Sequence, residues 1–316
     1  MRILFMGTPD FAVPSLQALL DAPKAMGLEV VGVITQPDKP KGRGYTLTPP
    51  PVKAWALAHS LPVYQPTTLR GDAFASLLSV LDPELIAVVA YGKILPLNVL
   101  DYPKYGCINV HGSLLPKYRG AAPMQRAIID GETRTGVTIQ RMAEGIDTGD
   151  MLLKSEIEIT DTDNFETIHD RLAAAGAKTL VDTVAAMQNG TLIATPQDDS
   201  LATHAAKIEK EDCILHFSDT VRSLHCRIRG LSPIPVALTH TPDGKLLKVL
   251  AATPADIPRP ATAVNGEIVS LEGGVITVAC SDGTLSLTRV IPEGKRPMDA
   301  ADYIRGRNIS VGDILG

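Results

Sequence analysis

Short apolar runs alternate with helix-like stretches over the first 190 residues. The run at 2–6 closes on Gly7, and Pro14 opens an apolar-rich helix that ends near Ala22. Strands are predicted at 29–35 and 61–64, helices at 52–59 and 71–81, and a fully apolar run at 85–90 reads as a central parallel strand. Three further strands are predicted at 106–110, 136–142 and 151–159, with a helix at 121–130. A long helix starts after Asp161-Thr162-Asp163 and stops at Asn189-Gly190, both well signalled. This alternation predicts an α/β fold with a doubly wound, mostly parallel, Rossmann-like sheet in a domain of residues 1–190.

Beyond Gly190 the pattern changes. Residues 191–207 are irregular and read as an interdomain linker. A helix at 217–230 carries Arg222, Arg227 and Arg229, and short strands follow at 236–239, 246–252, 267–271, 275–279 and 285–290. Gly273-Gly274 and Asp282-Gly283 supply turns. One helix and five strands predict a small β-barrel of the oligonucleotide-binding type over 208–316. Such a shape does not by itself establish RNA contact.

Composition narrows the partners. The formal charge of −5 argues against a general polyanion binder, so any nucleic-acid contact must come from local basic elements. One such element is present. Residues 36–51, QPDKPKGRGYTLTPPP, form a predicted long proline-rich loop with Lys39, Lys41 and Arg43 close together. It reads as a basic finger for phosphate or as a solvated surface loop. Cys107, Cys213, Cys226 and Cys280 fall at no metal or redox spacing, which predicts reduced thiols in a cytosolic protein. The opening MRILFMG is too short an apolar run for a signal peptide, and no stretch predicts a membrane span. Gly7 opens a strand-turn-helix unit, yet GTPDFA lacks the G-x-G-x-x-G spacing of a dinucleotide site, so a nicotinamide cofactor is disfavoured.

The chemistry concentrates between Cys107 and Asp150. Asn109 and His111 stand two apart on a predicted strand, so their side chains share a face at its carboxyl end, where ligands sit in an open parallel sheet. Asp147 lies between Gly145 and Gly149 on the loop after the next strand and can fold back over a strand end. No serine or cysteine is paired with the histidine, so a covalent acyl-enzyme is not indicated. An amide donor and a histidine can instead stabilise an oxyanion, while a carboxylate holds the histidine and manages a proton. That set suits direct acyl transfer from a bound donor to an amine. Taken singly, each of the three is more simply a polar group satisfying a turn.

The segment Ile108-Asn109-Val110-His111-Gly112-Ser113-Leu114-Leu115-Pro116-Lys117-Tyr118-Arg119-Gly120 resembles the signature of the formyltransferases that use 10-formyltetrahydrofolate, with Asp147 in the place of that family's catalytic aspartate. The opening Met6-Gly7-Thr8-Pro9-Asp10-Phe11 and the loop Gly42-Arg43-Gly44 are similar to those of the members that act on methionyl-tRNA, and the resemblance runs the whole chain. It implies that Asn109, His111 and Asp147 are catalytic, that 10-formyltetrahydrofolate is the co-substrate, and that no metal takes part. It also implies a folate pocket from Tyr91, Gly92, Ile94 and Leu95 together with Ser113, Leu114, Leu115 and Pro116. Lys39, Lys41, Gly42 and Arg43 are implied to meet the acceptor end of initiator methionyl-tRNA, with 208–316 as a tRNA-binding domain and no obligate protein partner. Lys117 and Arg119 can face folate glutamates or phosphate, although exposed loop charges usually do neither.

Two rivals follow from the same residues. An enzyme that formylates an amino-sugar nucleotide would share the trio, and a non-catalytic RNA-binding protein would keep the fold without turnover. The basic loop and the C-terminal barrel favour tRNA over the sugar, and the intact trio argues against the inactive protein.

Overall fold

The computed structural model describes residues 1–41, 46–306 and 308–316. Two compact units emerge, and they do not follow the chain in simple succession. The first comprises residues 1–120, 135–157 and 169–204, and the second 121–134, 158–168 and 205–316.

The first unit is built on a seven-stranded sheet in the order Met151–Glu158, Arg134–Arg141, Cys107–His111, Leu85–Val89, Arg2–Gly7, Glu29–Ile34 and Val63–Tyr64. The five strands from Cys107–His111 to Val63–Tyr64 are parallel neighbours, and the direction reverses where Cys107–His111 meets Arg134–Arg141. Ile3, Leu4, Phe5, Met6, Ile34, Leu85, Ile86 and Ile108 are fully buried. Strands inside such a sheet are covered on both faces, which explains their unbroken apolar runs. The chain leaves Arg2–Gly7 toward one edge and returns to its other side at Leu85–Val89, so a topological switch lies between these two strands.

Glycine permits the closest approaches. At Gly176, inside helix Phe165–Gln188, a β-carbon would stand 2.9 Å from Val110 Cγ1, so the helix presses directly on the strand that carries Asn109 and His111. At Gly136 a β-carbon would stand 2.2 Å from the Ser155 carbonyl oxygen and 2.5 Å from Leu114 Cδ2. Only a glycine fits there. The long helix starts where expected, with Asn164 Oδ1 accepting from the Thr167 N–H at 2.9 Å, and its end is followed by Gly190 at φ 68°.

The proline-rich loop differs from expectation. Lys39–Lys41 and Thr46–Thr48 are short antiparallel strands, with Lys39 opposite Thr48 and Lys41 opposite Thr46. Pro40 is accommodated because a two-stranded ribbon has an outer edge where no N–H is needed. The root of the ribbon is fixed by Asp38, whose carboxylate accepts from Lys53 Nζ at 2.8 and 2.9 Å and from Gln65 Nε2 at 2.8 Å. Gly42 and Arg43 lie outside the described residues.

The second unit carries an antiparallel sheet. Its order is Ala237–His240, Leu246–Pro254, Thr284–Pro292, Ile276–Ala279 and Ile268–Ser270, with Met298–Asp299 also paired to Thr284–Pro292. Among the described residues this sheet has six strands where five were expected, because a two-residue strand leaves no alternation to read. Register shifts near Ala251 mark bulges in Leu246–Pro254 that bend it. Helix Val221–Leu231 starts four residues later than expected, where the Thr220 hydroxyl accepts from the Ser223 N–H. Gly230 packs on the Pro123–Ile129 helix of the same unit, where a β-carbon would stand 2.7 Å from Ile129 Cγ1.

Candidate active site

Cross-strand register gathers the polar groups. Asn109 is directly opposite Gln140, and His111 directly opposite Thr138. Opposed residues of an antiparallel pair point to the same side, so these four share one face at the carboxyl end of Cys107–His111. Each has a distinct task. Thr138 Oγ1 donates to the Ser113 carbonyl at 2.7 Å and accepts from the Leu115 N–H at 3.1 Å, which fixes the segment after the strand. Ser113 Oγ donates to the Lys117 carbonyl at 2.7 Å, tightening the same turn.

His111 is buried and placed between two oxygens. Its Nε2 lies 2.9 Å from the Tyr118 carbonyl, and since a carbonyl only accepts, Nε2 carries the proton. Its Nδ1 faces Asp147 Oδ2 at 3.5 Å. Asp147 is itself closely held: Oδ2 accepts from the Gly120 N–H at 2.9 Å, and Oδ1 accepts from Gln140 Nε2 at 2.7 Å. Its backbone is in the left-handed region at φ 54°, and Gln197 Nε2 donates to the carbonyls of Asp147 and Gly149 at 2.8 and 2.7 Å. Arg119 completes the support. It donates twice to Gln197 Oε1, at 3.0 and 2.9 Å, and to Asp199 Oδ1 at 2.7 Å. Asn109 differs from the other two members of the trio, for among the described residues its side chain has no hydrogen-bond partner, and it is only half-buried.

The trio predicted from sequence is thus brought together. Arg119, expected on an exposed loop, is instead a buried strut, because three of its N–H contacts are directed at Gln197 and Asp199. Of the predicted folate-pocket residues, Ile94 is 85% exposed and Gly92 is open at φ 82°, whereas Tyr91, Leu95, Ser113 and Leu115 are buried. Tyr91 and Leu95 belong to an apolar cluster with Leu4, Met6 and Val88, and burial pushes the Tyr91 phenol up to about 12. The Tyr91 carbonyl is tied across the switch point by Thr8 Oγ1 at 3.0 Å and Gln36 Nε2 at 3.1 Å. Leu114 and Pro116 are half-buried beside the Thr138 contacts. Lys154 donates to the Leu115 carbonyl at 2.5 Å, and burial lowers its amine below the usual lysine range. Among the described residues no group of three or more histidine, cysteine or acidic side chains is placed to hold a metal ion, and no helix is long and apolar enough to cross a membrane.

Comparison with known proteins decides the family. A family model described as formyl transferase matches residues 1–184, and one described as formyl transferase, C-terminal domain, matches residues 207–308. The methionyl-tRNA formyltransferase of Bacillus subtilis (strain 168) is 47% identical over 316 residues, covering 100% of this chain and 98% of that protein. The chain belongs to the methionyl-tRNA formyltransferase family. The methionyl-tRNA formyltransferase of Syntrophus aciditrophicus (strain SB) is 45% identical, covering 100% of this chain and 99% of that protein. Among solved structures, HypX from Aquifex aeolicus in complex with tetrahydrofolic acid has a TM-score of 0.62 at 16% identity, covering 96% of this chain and 47% of that one. The N-formyltransferase from Helicobacter canadensis in complex with folinic acid and dTDP-3-aminofucose has a TM-score of 0.65 at 17% identity, covering 90% of this chain and 98% of that one. Likeness at such identities speaks for the fold alone. Gln140, Thr138 and Gln197 are the residues packed around the trio that sequence reasoning missed. Gln140 and Thr138 had a signal, because both sit in the apolar run GVTIQRM; Gln197 had none, lying in the segment that reads as a linker.

Proposed function

We infer that this protein transfers the formyl group of 10-formyltetrahydrofolate to the α-amino group of initiator methionyl-tRNA, in the cytoplasm. The observation that carries the reading is the placement of the Asn109 amide, without a hydrogen-bond partner among the described residues, on one strand face with a His111 that faces Asp147 at 3.5 Å, on a chain with full-length relatives of that name. In the reaction the amine attacks the formyl carbon, the carbonyl oxygen gains negative charge, and the bond from carbon to the folate nitrogen then breaks. The Asn109 amide is the direct donor to that oxyanion. Asp147 takes the proton lost by the amine, alone or through His111 Nδ1, and returns it to the folate nitrogen. His111 would join the oxyanion as a second donor only on release of Nε2 from Tyr118.

The donor pocket is assigned to Tyr91, Gly92, Ile94 and Leu95, which follow strand Leu85–Val89, together with Ser113, Leu114, Leu115 and Pro116, which follow its parallel neighbour Cys107–His111. The exposed apolar side chain of Ile94 suits a flat pterin ring. The acceptor is assigned to Lys39 and Lys41 and to Gly42 and Arg43, which follow them in sequence. The domain limits 1–190, 191–207 and 208–316 are kept as a functional division, with the antiparallel sheet as a barrel of the oligonucleotide-binding type that holds tRNA. Incubation with 10-formyltetrahydrofolate and Met-tRNA tests the reading. Formyl-methionyl-tRNA and stoichiometric tetrahydrofolate are expected. Turnover with an amino-sugar nucleotide in place of Met-tRNA would overturn it.

A further inference from the structure

Gln140 is an uncomfortable residue for its position. It is 2% exposed on a strand, its Oε1 is buried with no hydrogen-bond partner among the described residues, and the two positions before it, Thr138 and Ile139, are fully buried. An apolar side chain of similar size would avoid an unpartnered amide oxygen there. What the amide does make is one short contact, from Nε2 to Asp147 Oδ1 at 2.7 Å. The orientation of the amide follows from this contact, because a carboxylate oxygen requires a donor.

The other Asp147 oxygen is differently occupied. Oδ2 accepts from the Gly120 N–H and faces His111 Nδ1, so two groups meet one oxygen, while among the described residues Gln140 alone holds its twin. The last torsion of an aspartate is broad, and a single anchor on Oδ2 would leave the carboxylate free to turn. Two anchors, one on each oxygen, fix its plane. We propose that Gln140 is a positioning residue for the transfer reaction, holding the Asp147 carboxylate so that Oδ2 presents to His111 and to the attacking amine. This rests on the catalytic reading of Asp147 given above. It adds a residue opposite Asn109 in register, so that one strand pair supplies both the free amide and the amide that aims the base.

The test compares Gln140→Met, Gln140→Glu, Asp147→Asn and the double variant Gln140→Met/Asp147→Asn, by kcat and KM for both substrates, the pH profile of kcat, and Tm. Methionine fills the buried site without an unpartnered oxygen, so Gln140→Met is expected to keep or raise Tm. Its kcat is expected to fall roughly 10- to 100-fold, the scale of a misplaced reacting group, with both KM values near those of the parent. Gln140→Glu sets a second carboxyl beside Asp147 and is expected to move the acidic limb of the kcat profile to higher pH. The double variant is expected to be no slower than Asp147→Asn, since an aim without a base has nothing to lose. Parental kcat in Gln140→Met overturns the assignment, as does a loss that follows Tm, leaves the pH profile in place and adds to that of Asp147→Asn. Parental turnover in Asp147→Asn overturns the catalytic reading itself, and this assignment with it.

Discussion

Gly149 lies so close to Arg141 that a β-carbon on it would stand 1.7 Å from the Arg141 carbonyl oxygen. This contact closes the loop that carries Asp147, since Arg141 ends one strand and Gly149 precedes the next. The clash is with backbone, which cannot swing aside. Gly149→Ala is therefore expected to displace the loop, lower Tm, and reduce turnover by about 100-fold, because a reacting group moved by about 1 Å loses on that order. Steady-state kinetics and a thermal melt check it; a variant as active as the parent would refute the idea that loop closure aims Asp147.

Asn109 and Asp147 make a second, separable expectation. Asn109→Ala removes the one trio side chain with no hydrogen-bond partner among the described residues, so Tm is expected to stay near the parent while kcat drops roughly 10²- to 10³-fold. Asp147→Asn keeps the shape but replaces an oxygen acceptor, and the Gly120 and Gln140 donors then compete for one oxygen. Orders of magnitude in kcat with unchanged folate affinity are expected. Weak folate binding in Asn109→Ala would point instead to a donor-binding role.

The trio was readable because its signals are local: a two-residue spacing on an apolar strand and a glycine-flanked aspartate. Its supports were not. An apolar run such as GVTIQRM indicates a strand but carries no mark of direction, so the antiparallel pairing that places Gln140 opposite Asn109 was hidden. Gln197 reaches Asp147 across fifty residues of chain from a stretch that looks like a linker, and such a contact is set by packing alone. The strands of the second unit were legible from their turn signals. The recruitment of 121–134 and 158–168 into that unit was not, because nothing in a helix sequence names the surface it will pack against.

That recruitment changes what truncation should do. From sequence, a chain ending at Gly190 is expected to keep the sheet and the trio. The structure indicates otherwise: such a chain lacks Gln197 and Asp199, which hold Asp147 and Arg119, and it strips Ile129 of the cluster around Leu224 and Ile228. Loss of a cooperative melt, and not only of tRNA use, is expected. Calorimetry of the shortened chain decides; a sharp transition with folate still bound would show that the first 190 residues fold alone.

Stability should also depend on pH through His225. Burial, and then the neighbouring Arg229 charge, push this imidazole down to about 4, and its Nδ1 has no partner among the described residues. The unfolded chain binds the proton near the ordinary value of about 6.5. Between the two values the unfolded state carries more protons, so stability rises with pH across that window. The contribution is complete above about pH 6.5 and is lost as pH falls to about 4, an effect of about 3 kcal/mol at most. His225→Gln is expected to flatten this part of the profile in urea melts at graded pH. An unchanged slope would place the dependence on other groups, such as the Asp161 carboxylate that Arg222 holds below its usual range.

The basic ribbon gives the last expectation, and it separates tRNA from folate. With a formal charge of −5 the chain has no general field to gather a large anion, so its contacts must come from concentrated positive groups on a stiff support. Lys53 supplies the support: its ammonium joins Asp38 and Gln65 at the base of the ribbon, and this pairing holds the Asp38 carboxyl below its usual range. Ion pairs near the surface contribute little to folding, and this one is only partly buried, so Lys53→Met is expected to leave Tm nearly unchanged. A looser ribbon should nonetheless raise KM for Met-tRNA. Arg43→Leu removes the planar fork that suits phosphate, and its effect on that KM should be larger, with lysine a poor substitute. KM for 10-formyltetrahydrofolate should hold in both variants, because the assigned donor pocket contains neither residue. A rise in the folate KM with Met-tRNA kinetics intact would move the ribbon to the donor site and reopen the amino-sugar reading.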